Sequence, residues 1–231
     1  MIDLNGDGRA DAVCAFSAKC DVEFQNRHQT YLNNGTAWNH IARTPFSAYG
    51  IYSKAPITYC DFQDVNQDGS PDGVCSYLLD DGEQLQEVYL YNATAHEWVE
   101  NGFGTPPFHQ FGMNAGNPTQ QCDMVDVNGD DLPDAVCSWW KNDNDQQRQT
   151  FLNTGAGWTR TTHFAPPSII YTIYDKRPAE MCQLSDVNGD SLTDVCCSFL
   201  WDNGDTDHTT YMNYGCGWTD EWDGSFSFCL T

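Results

Sequence analysis

The sequence predicts an all-β fold, a β-propeller of four blades in which each blade is a four-stranded antiparallel meander. Two observations predict it. An acidic string recurs four times along the chain, and short runs rich in β-branched and aromatic residues alternate with Gly, Asn and Asp turns. No segment carries sustained 3.6-residue periodicity, so helix should be nearly absent. A four-stranded meander cannot bury both of its faces alone. Radial repetition of such sheets, as in a β-propeller, gives each sheet a neighbour on either face.

The acidic string defines the repeat. It reads DLNGDGRAD from Asp3, DVNQDGSPD from Asp64, DVNGDDLPD from Asp126 and DVNGDSLTD from Asp186. The spacings are 64 − 3 = 61, 126 − 64 = 62 and 186 − 126 = 60 residues. We therefore expect one repeat domain over residues 1–231, with units at about 1–59, 60–121, 122–181 and 182–231.

Each unit should contain a hairpin and a further strand. In the second unit the pattern predicts strands from Val74 to Leu79, from Glu87 to Tyr91 and at Trp98, with a turn at residues 80–82. Aromatic residues recur at two places of the repeat, which predicts that they pack between blades. They are Trp38, Trp98, Trp158 and Trp218, and Phe16, Tyr77, Trp139 and Phe199.

The charge balance excludes some partners. There are 33 acidic and 10 basic residues, a net charge of −23, so nucleic acid and anionic membranes are not expected partners. No apolar run approaches the roughly 18 residues of a membrane span, so membrane insertion is not expected. With 40% hydrophobic residues the chain can still fill a core.

The cysteines indicate an oxidising location. Eleven cysteines without a C-x-x-C arrangement predict disulfide bonds and an extracellular or cell-surface protein. Three pairs straddle an acidic loop and could each join the strands of one hairpin: Cys60 and Cys75, Cys122 and Cys137, Cys182 and Cys197. Two sequons, at Asn34 and Asn92, are compatible with a secreted glycoprotein.

The first repeat lacks the strand that precedes every other acidic loop, and residues 225–231 look like that strand. We expect this C-terminal strand to complete the first unit, with Cys14 bonded to Cys229. If the C-terminal strand completes the first unit of its own chain, the ring closes, and this arrangement is favoured. If it completes the first unit of another molecule, the chains add head to tail into a filament. Cys196 is expected to be a buried thiol, and a Cys20–Cys216 bond remains open.

The acidic loops are predicted calcium sites. Oxygen atoms fall at loop positions 1, 3, 5 and 9, with a backbone carbonyl at position 7, and Ca²⁺ prefers such hard ligands. Three carboxylates within nine residues would repel one another without a cation. Position 12 holds cysteine rather than glutamate, which excludes an EF-hand. Up to four structural Ca²⁺ ions are expected. The site residues are Asp3, Asn5, Asp7, Arg9 and Asp11; Asp64, Asn66, Asp68, Ser70 and Asp72; Asp126, Asn128, Asp130, Leu132 and Asp134; and Asp186, Asn188, Asp190, Leu192 and Asp194.

Position 6 of such a loop commonly needs a positive φ. Gly8 and Gly69 supply it without strain, Asp131 tolerates it, and Ser191 does so less well. The fourth loop should therefore be the weakest calcium site.

The four strings, each followed by an LN-x-G-x-x-W-like strand, resemble the FG-GAP/VCBS repeats of integrin α-subunit propellers and of related bacterial and fungal propellers. The resemblance covers the full chain. It implies that one repeat approximates one blade, that the loops hold structural Ca²⁺, and that the protein serves in adhesion, in carbohydrate binding, in a toxin scaffold or in a secreted enzyme.

No catalytic motif is found among the six histidines or elsewhere, so we expect a non-enzymatic, lectin-like recognition or adhesion module for a glycan or an extracellular protein. A fibre subunit that self-associates and a secreted hydrolase are the alternatives. The variable segments 39–58, 99–120, 159–180 and 219–227 should carry binding. Their aromatics are Tyr49, Tyr52, Phe108, Phe111, Tyr171, Tyr174 and Trp222. For the hydrolase alternative, the candidate carboxylate pairs for glycoside hydrolysis lie among Asp80, Asp81, Glu83, Asp143, Asp145, Asp202, Asp205 and Asp207.

Overall fold

The structure is a computed structural model, and its strands confirm the predicted all-β class. It describes residues 2–20, 23–44, 57–78, 84–100, 102–107, 111–114, 117–142, 145–166, 180–200 and 203–220. Within these ranges the regular elements are all β-strands, and they form four antiparallel sheets. None of the described segments forms a helix that could cross a membrane.

The chain divides into two compact units, each of which is described by itself. One comprises residues 1–110 with 155–157, and the other comprises residues 111–154 and 158–231. The first therefore holds repeats 1 and 2, and the second holds most of repeats 3 and 4.

In the first unit, repeat 1 forms a three-stranded sheet and repeat 2 a four-stranded meander. Repeat 1 contains β1 (Ala12–Cys20), β2 (Glu23–Asn33) and β3 (Trp38–Arg43), in the order β1-β2-β3. Repeat 2 contains β4 (Ile57–Gln63), β5 (Asp72–Leu78), β6 (Gln84–Asn92) and β7 (Glu97–Glu100), in sequence order. The strands predicted in the second unit of the sequence are thus confirmed. Residues 225–231, expected to complete repeat 1, lie outside the described residues.

In the second unit, one sheet departs from the predicted four strands. Repeat 3 forms a five-stranded sheet in the order β12-β11-β10-β9-β8. The extra strand β8 pairs with the start of β9 through Asn114 opposite Asn117, so the segment before the repeat turns back as a hairpin. The strands are β8 (Phe111–Asn114), β9 (Asn117–Val125), β10 (Asp134–Asn142), β11 (Asp145–Asn153) and β12 (Trp158–Thr161).

Repeat 4 returns to four strands in sequence order. They are β13 (Glu180–Ser185), β14 (Asp194–Leu200), β15 (Thr206–Asn213) and β16 (Trp218–Asp220). The predicted unit boundaries at residues 60, 122 and 182 cut through β4, β9 and β13. Each of these first strands begins upstream of its cysteine.

The three predicted hairpin disulfides are confirmed. Each joins directly opposed residues of the first two strands of repeats 2, 3 and 4, with Cα–Cα distances of 4.1, 4.0 and 4.0 Å. Cys14 is a free thiol, so the predicted Cys14–Cys229 bond is not formed; Cys229 lies outside the described residues. Cys196 is also a free thiol, only partly buried, and Cys216 is disulfide-bonded.

Each unit has its own core. In the first unit, Val13 of repeat 1 packs against Cys60, Cys75 and Tyr89 of repeat 2, with Trp98 beside them. In the second unit, Val127 and Val136 of repeat 3 form one cluster with residues of repeat 4, including Val195 and Cys197. Adjacent repeats within a unit therefore share apolar contacts, as repeat architectures require.

Candidate metal-binding loops

In each acidic loop the first aspartate folds the backbone around its own carboxylate. Asp3 Oδ1 accepts the N–H groups of Gly6 at 2.9 Å and Asp7 at 3.2 Å, and Asp3 Oδ2 accepts that of Gly8 at 2.8 Å. Carboxylate-to-amide bonds of the same kind recur at Asp64, Asp126 and Asp186. Bonds from backbone N–H groups, that of Ser191 first, hold the pKa of Asp186 below its usual value.

Loop positions 3 and 5 bring further oxygens beside the first carboxylate. Asn5 Oδ1 and Asp3 Oδ1 accept the same N–H group, that of Asp7, at 3.2 Å each, so the two oxygens are neighbours. The Asn5 amide also donates to Asp7 Oδ2 at 3.4 Å. The equivalent amide-to-carboxylate bonds measure 3.1, 3.0 and 2.9 Å in the other loops: Asn66 to Asp68, Asn128 to Asp130 and Asn188 to Asp190.

The N–H group at position 7 donates back to the carboxylate at position 5. The donors are Arg9, Ser70, Leu132 and Leu192, each at 2.9 Å. In the first loop the Arg9 guanidinium also pairs with Asp7 at 3.0 Å. The predicted site residues at positions 1, 3, 5 and 7 are thus assembled into one turn in every repeat.

The loop backbone confirms the predicted positive φ at position 6 in all four repeats. The values are 80° at Gly8, 86° at Gly69, 64° at Asp131 and 70° at Ser191. Position 4 also has a positive φ, which the sequence analysis did not predict, and in the second loop this position holds Gln67 at 58°. The sequence carried a signal for this positive φ, because the other three loops have glycine at position 4.

The ninth aspartate points into the fold instead of toward the loop surface. Asp11 is fully buried; its Oδ2 accepts the Leu4 N–H at 2.9 Å and its Oδ1 accepts the Asn33 N–H at 2.8 Å. Asp72, Asp134 and Asp194 make the same pair of bonds. This residue therefore ties the loop to the end of a strand of the same repeat. Its role as a calcium ligand stays a prediction.

Burial has an electrostatic effect at two of these residues. It raises the pKa of Asp72 to about 7, against the opposing effect of the bonds from the Tyr91 and Val65 N–H groups, and nearby Asp68 and Asp64 raise it further. Asp134 has a pKa of about 7 for the same reasons. The carboxylates of one loop therefore repel one another, and a bound cation would offset that repulsion.

The donor set of each loop consists of two carboxylates and one carboxamide on the outer side, with the position 7 carbonyl in the same turn. In the described part of the chain, no group of three or more Asp, Glu, His or Cys side chains converges to hold a metal ion. Positions 1, 3 and 5 nevertheless offer the hard oxygen ligands that suit Ca²⁺ rather than Zn²⁺ or copper. The residues present fit Ca²⁺ at these three positions.

Comparison with protein families supports the interpretation of the repeat. Residues 3–75 match the family model of the FG-GAP-like repeat. This part of the chain is similar to FG-GAP-like repeats. The match begins at the first aspartate of loop 1 and includes the whole of loop 2, so the resemblance drawn from the acidic strings is confirmed for the first two of them. A comparison with curated proteins finds no match.

Beyond residue 75, the loops of repeats 3 and 4 have the same hydrogen bonds at positions 1, 3, 5, 7 and 9 as the loops of repeats 1 and 2. Most of the aromatic residues predicted to bind a partner lie outside the described residues: Tyr49, Tyr52, Phe108, Tyr171, Tyr174 and Trp222. Phe111 lies in β8.

Proposed function

We propose that the protein is a non-enzymatic extracellular recognition or adhesion module whose acidic loops bind structural Ca²⁺, up to four ions per chain. The observation that carries the proposal is the repetition of one loop geometry in four repeats, each with oxygens from positions 1, 3 and 5 gathered on its outer side.

In each loop the ion would be held by the side chains at positions 1, 3 and 5 and by the carbonyl at position 7. Asp3, Asn5 and Asp7 with the Arg9 carbonyl form the set in the first repeat. A bound Ca²⁺ supplies two positive charges, which offset the repulsion between the carboxylates. The ninth aspartate, bonded to two backbone N–H groups, keeps the loop in place at the sheet.

The recognition role rests on the repeat family and on the disulfides. FG-GAP-like repeats fit extracellular adhesion and recognition modules, and three disulfide bonds are consistent with a secreted or extracellular protein. The variable segments between repeats are the proposed contact regions for a glycan or an extracellular protein. The four sheets fit the blades of a propeller, and we propose that arrangement; ring closure by residues 225–231 stays a prediction from the sequence.

Calorimetric titration of chelator-treated protein with Ca²⁺ tests the metal sites. Up to four ions should bind. Asp68→Asn should abolish or weaken the binding of one ion, because it removes a negative charge from loop 2 alone. Asp205→Asn is the matched control, because Asp205 is exposed and bonds to Asn203 outside the acidic loops. The absence of binding heat would contradict the calcium proposal and leave the recognition proposal standing.

Recognition is tested separately, with calcium-loaded protein applied to a glycan array and to immobilised extracellular matrix proteins. We expect saturable binding to at least one class, reduced when aromatic residues of the variable segments are replaced by alanine. Binding to neither class would overturn the recognition role whatever the calcium result.

A further inference from the structure

The turn between the last two strands of repeat 2 is longer than in the other repeats. Leu90 and Trp98 are 98 − 90 = 8 positions apart, whereas the equivalent pairs of repeats 1, 3 and 4 are 6 positions apart. The two extra residues allow Asn92 to pair with Glu97 beyond the pair of Tyr91 with Trp98. The hairpin of repeat 2 is therefore one residue pair longer than the others.

Position 7 of the acidic loop also differs in repeat 2, where it holds the small residue Ser70. Repeats 1 and 4 have the long side chains of Arg9 and Leu192 there, and each lies against the turn of its own hairpin. A Cβ added to Gly35 would meet Arg9 Nε at 3.1 Å. A Cβ added to Gly215 would meet Leu192 Cδ1 at 3.9 Å. A serine side chain is too short to fill the same space.

A cavity of about 350 Å³ lies between the acidic loop and the hairpin of repeat 2. Asn66, Asp68 and Ser70 line it on the loop side. Residues 90–94 and Val99 of β7 line it on the hairpin side. All of these residues belong to one repeat, so the cavity is a property of that repeat alone. Its volume falls within the range of about 300–1,000 Å³ that is usual for small-molecule sites.

The Ser70 hydroxyl is a polar group that the fold leaves available in this cavity. Ser70 is only 6% exposed. Its backbone N–H donates to Asp68 Oδ1 at 2.9 Å, but within the described part of the chain its hydroxyl has no hydrogen-bond partner. Nearly buried hydroxyl groups normally have a partner, and here it must come from solvent or from a ligand. Ser70 thus offers a ligand both a donor and an acceptor.

The other polar groups of the cavity provide donors and acceptors side by side. Asp68 Oδ2 accepts the Asn66 amide at 3.1 Å, which orients the carboxylate. Asn92 Oδ1 accepts the N–H groups of Thr94 and Ala95 at 3.0 and 2.8 Å, so the amide N–H groups of Asn92 remain as donors. The Thr94 hydroxyl also lines the cavity. A ligand whose hydroxyl groups both donate and accept suits this set.

One side of the cavity is apolar. Leu90 and Val99 are opposed in the β6–β7 ladder, and Val99 is 40% exposed. A saccharide ring carries hydroxyl groups at its edge and apolar C–H groups on its faces, so it can use both sides of the cavity. An aliphatic ammonium ion could use Asp68 and the apolar side, but it has no acceptor for the Asn92 amide. The combination favours a saccharide over a cation.

We propose that this cavity binds one saccharide unit of a glycan. Sugar hydroxyl groups bond to Ser70, Asp68 and Asn92, and a C–H face of the ring packs against Leu90 and Val99. The inference names the ligand of the recognition role proposed above and rests on that role. It adds the acidic loop and the β6–β7 turn of repeat 2 to the variable segments as contact regions.

NMR titration of the calcium-loaded full chain with single sugars tests the site. The probes are glucose, galactose, mannose, fucose and N-acetylglucosamine, with butylamine as the cationic probe. The chain is produced without N-linked glycans, because Asn92 begins a sequon and lines the cavity. At least one sugar should bind with a dissociation constant on the order of 1 mM, as expected for a ligand of about a dozen non-hydrogen atoms. Butylamine should not bind.

Two variants and a control locate the bound sugar. Ser70→Leu fills the cavity with the residue type that repeats 3 and 4 have at this position, so it should fold normally and weaken sugar binding at least tenfold. Val99→Ser removes part of the apolar side and should weaken binding several-fold. Ser198→Leu, the same substitution at an exposed serine of β14, should bind as wild type does. Asp68 and Asn66 are left unchanged, because they belong to the predicted calcium site.

The outcomes separate this inference from the recognition proposal. Equal binding by wild type, Ser70→Leu and Val99→Ser would place the sugar elsewhere and overturn the inference, while glycan recognition would stand. Binding of butylamine alone would assign the cavity to a cation and overturn it as well. If no sugar binds but the protein binds immobilised extracellular matrix proteins, the inference fails and recognition stands. If Ser70→Leu does not fold, Val99→Ser decides alone.

Discussion

The ninth aspartate of each acidic loop joins two distant parts of its repeat through one side chain. One oxygen accepts the N–H group of loop position 2, which is 7 residues away. The other accepts an N–H group near the end of the second-last strand of the sheet, which is 19 or 22 residues away. Sequence spacing places this carboxylate in the acidic loop. It cannot show the side chain turning inward, because the second amide comes from a strand whose position depends on the folded hairpin.

We predict that the ninth aspartate stabilises the protein even without a metal ion. Asp134→Asn leaves one of the two N–H groups, those of Val127 and Asn153, without its carboxylate acceptor. The free energy of unfolding in chelator should fall by about 1–3 kcal/mol. Urea denaturation measures it, and Asp130→Asn, at an exposed position 5, should change it by no more than about 0.5 kcal/mol. Equal effects of the two substitutions would contradict the assignment.

Gln67 gives a second residue-scale prediction. It has a φ of 58°, where the other three loops have glycine. A side chain in this left-handed region costs about 1–2 kcal/mol, and glycine returns part of the gain through its greater freedom in the unfolded chain, so Gln67→Gly should stabilise by about 0.5–1 kcal/mol. Gln86→Gly, in the middle of β6, should have the opposite sign. Destabilisation by both variants would show that the Gln67 side chain has a contact that outweighs the strain.

At the scale of single elements, the hairpins of repeats 2, 3 and 4 were predictable from the sequence because their determinants are local. The cysteines of each pair are 15 residues apart and face each other across adjacent strands, so turn chemistry and spacing suffice. Strand β8 was not predictable, because it lies in the variable segment 99–120, whose sequence does not follow the repeat. The exposure of Val187 was not predictable from the sequence either. Its equivalents Val65 and Val127 are the same residue type and are fully buried.

We predict that each hairpin disulfide contributes to stability through the loop that it closes. Removing one bond with the double substitution Cys122→Ala and Cys137→Ala should lower the free energy of unfolding by about 3 kcal/mol, since closing a loop of this length restricts the unfolded chain by that amount. Denaturation without reductant measures the effect. Cys14→Ala is the control, because Cys14 is a free thiol, and its substitution should have a much smaller effect. A comparable loss in both variants would indicate that Cys14 forms a bond in solution.

At the scale of the whole molecule, charge is the dominant feature. The net charge of the chain is −23, and the acidic loops place thirteen aspartates, four in the third loop and three in each of the others, within four short segments. Backbone N–H groups, the Asn amides and Arg9 offset part of this charge locally. The remaining repulsion favours any process that adds positive charge to the loops of the folded chain and not to the unfolded chain.

The melting temperature should therefore rise with the concentration of free Ca²⁺. A ligand that binds the folded state alone stabilises it by about 2.7 kcal/mol per site when its concentration is 100 times the dissociation constant. General screening also reduces the repulsion, so NaCl at matched ionic strength is the first control. Mg²⁺ is the second, because it requires a near-octahedral site and keeps several waters, which this set of loop oxygens suits less well. A rise with Ca²⁺ that clearly exceeds both controls and is reversed by EDTA indicates site binding. Equal rises with all three salts would mean that the loops respond to screening alone.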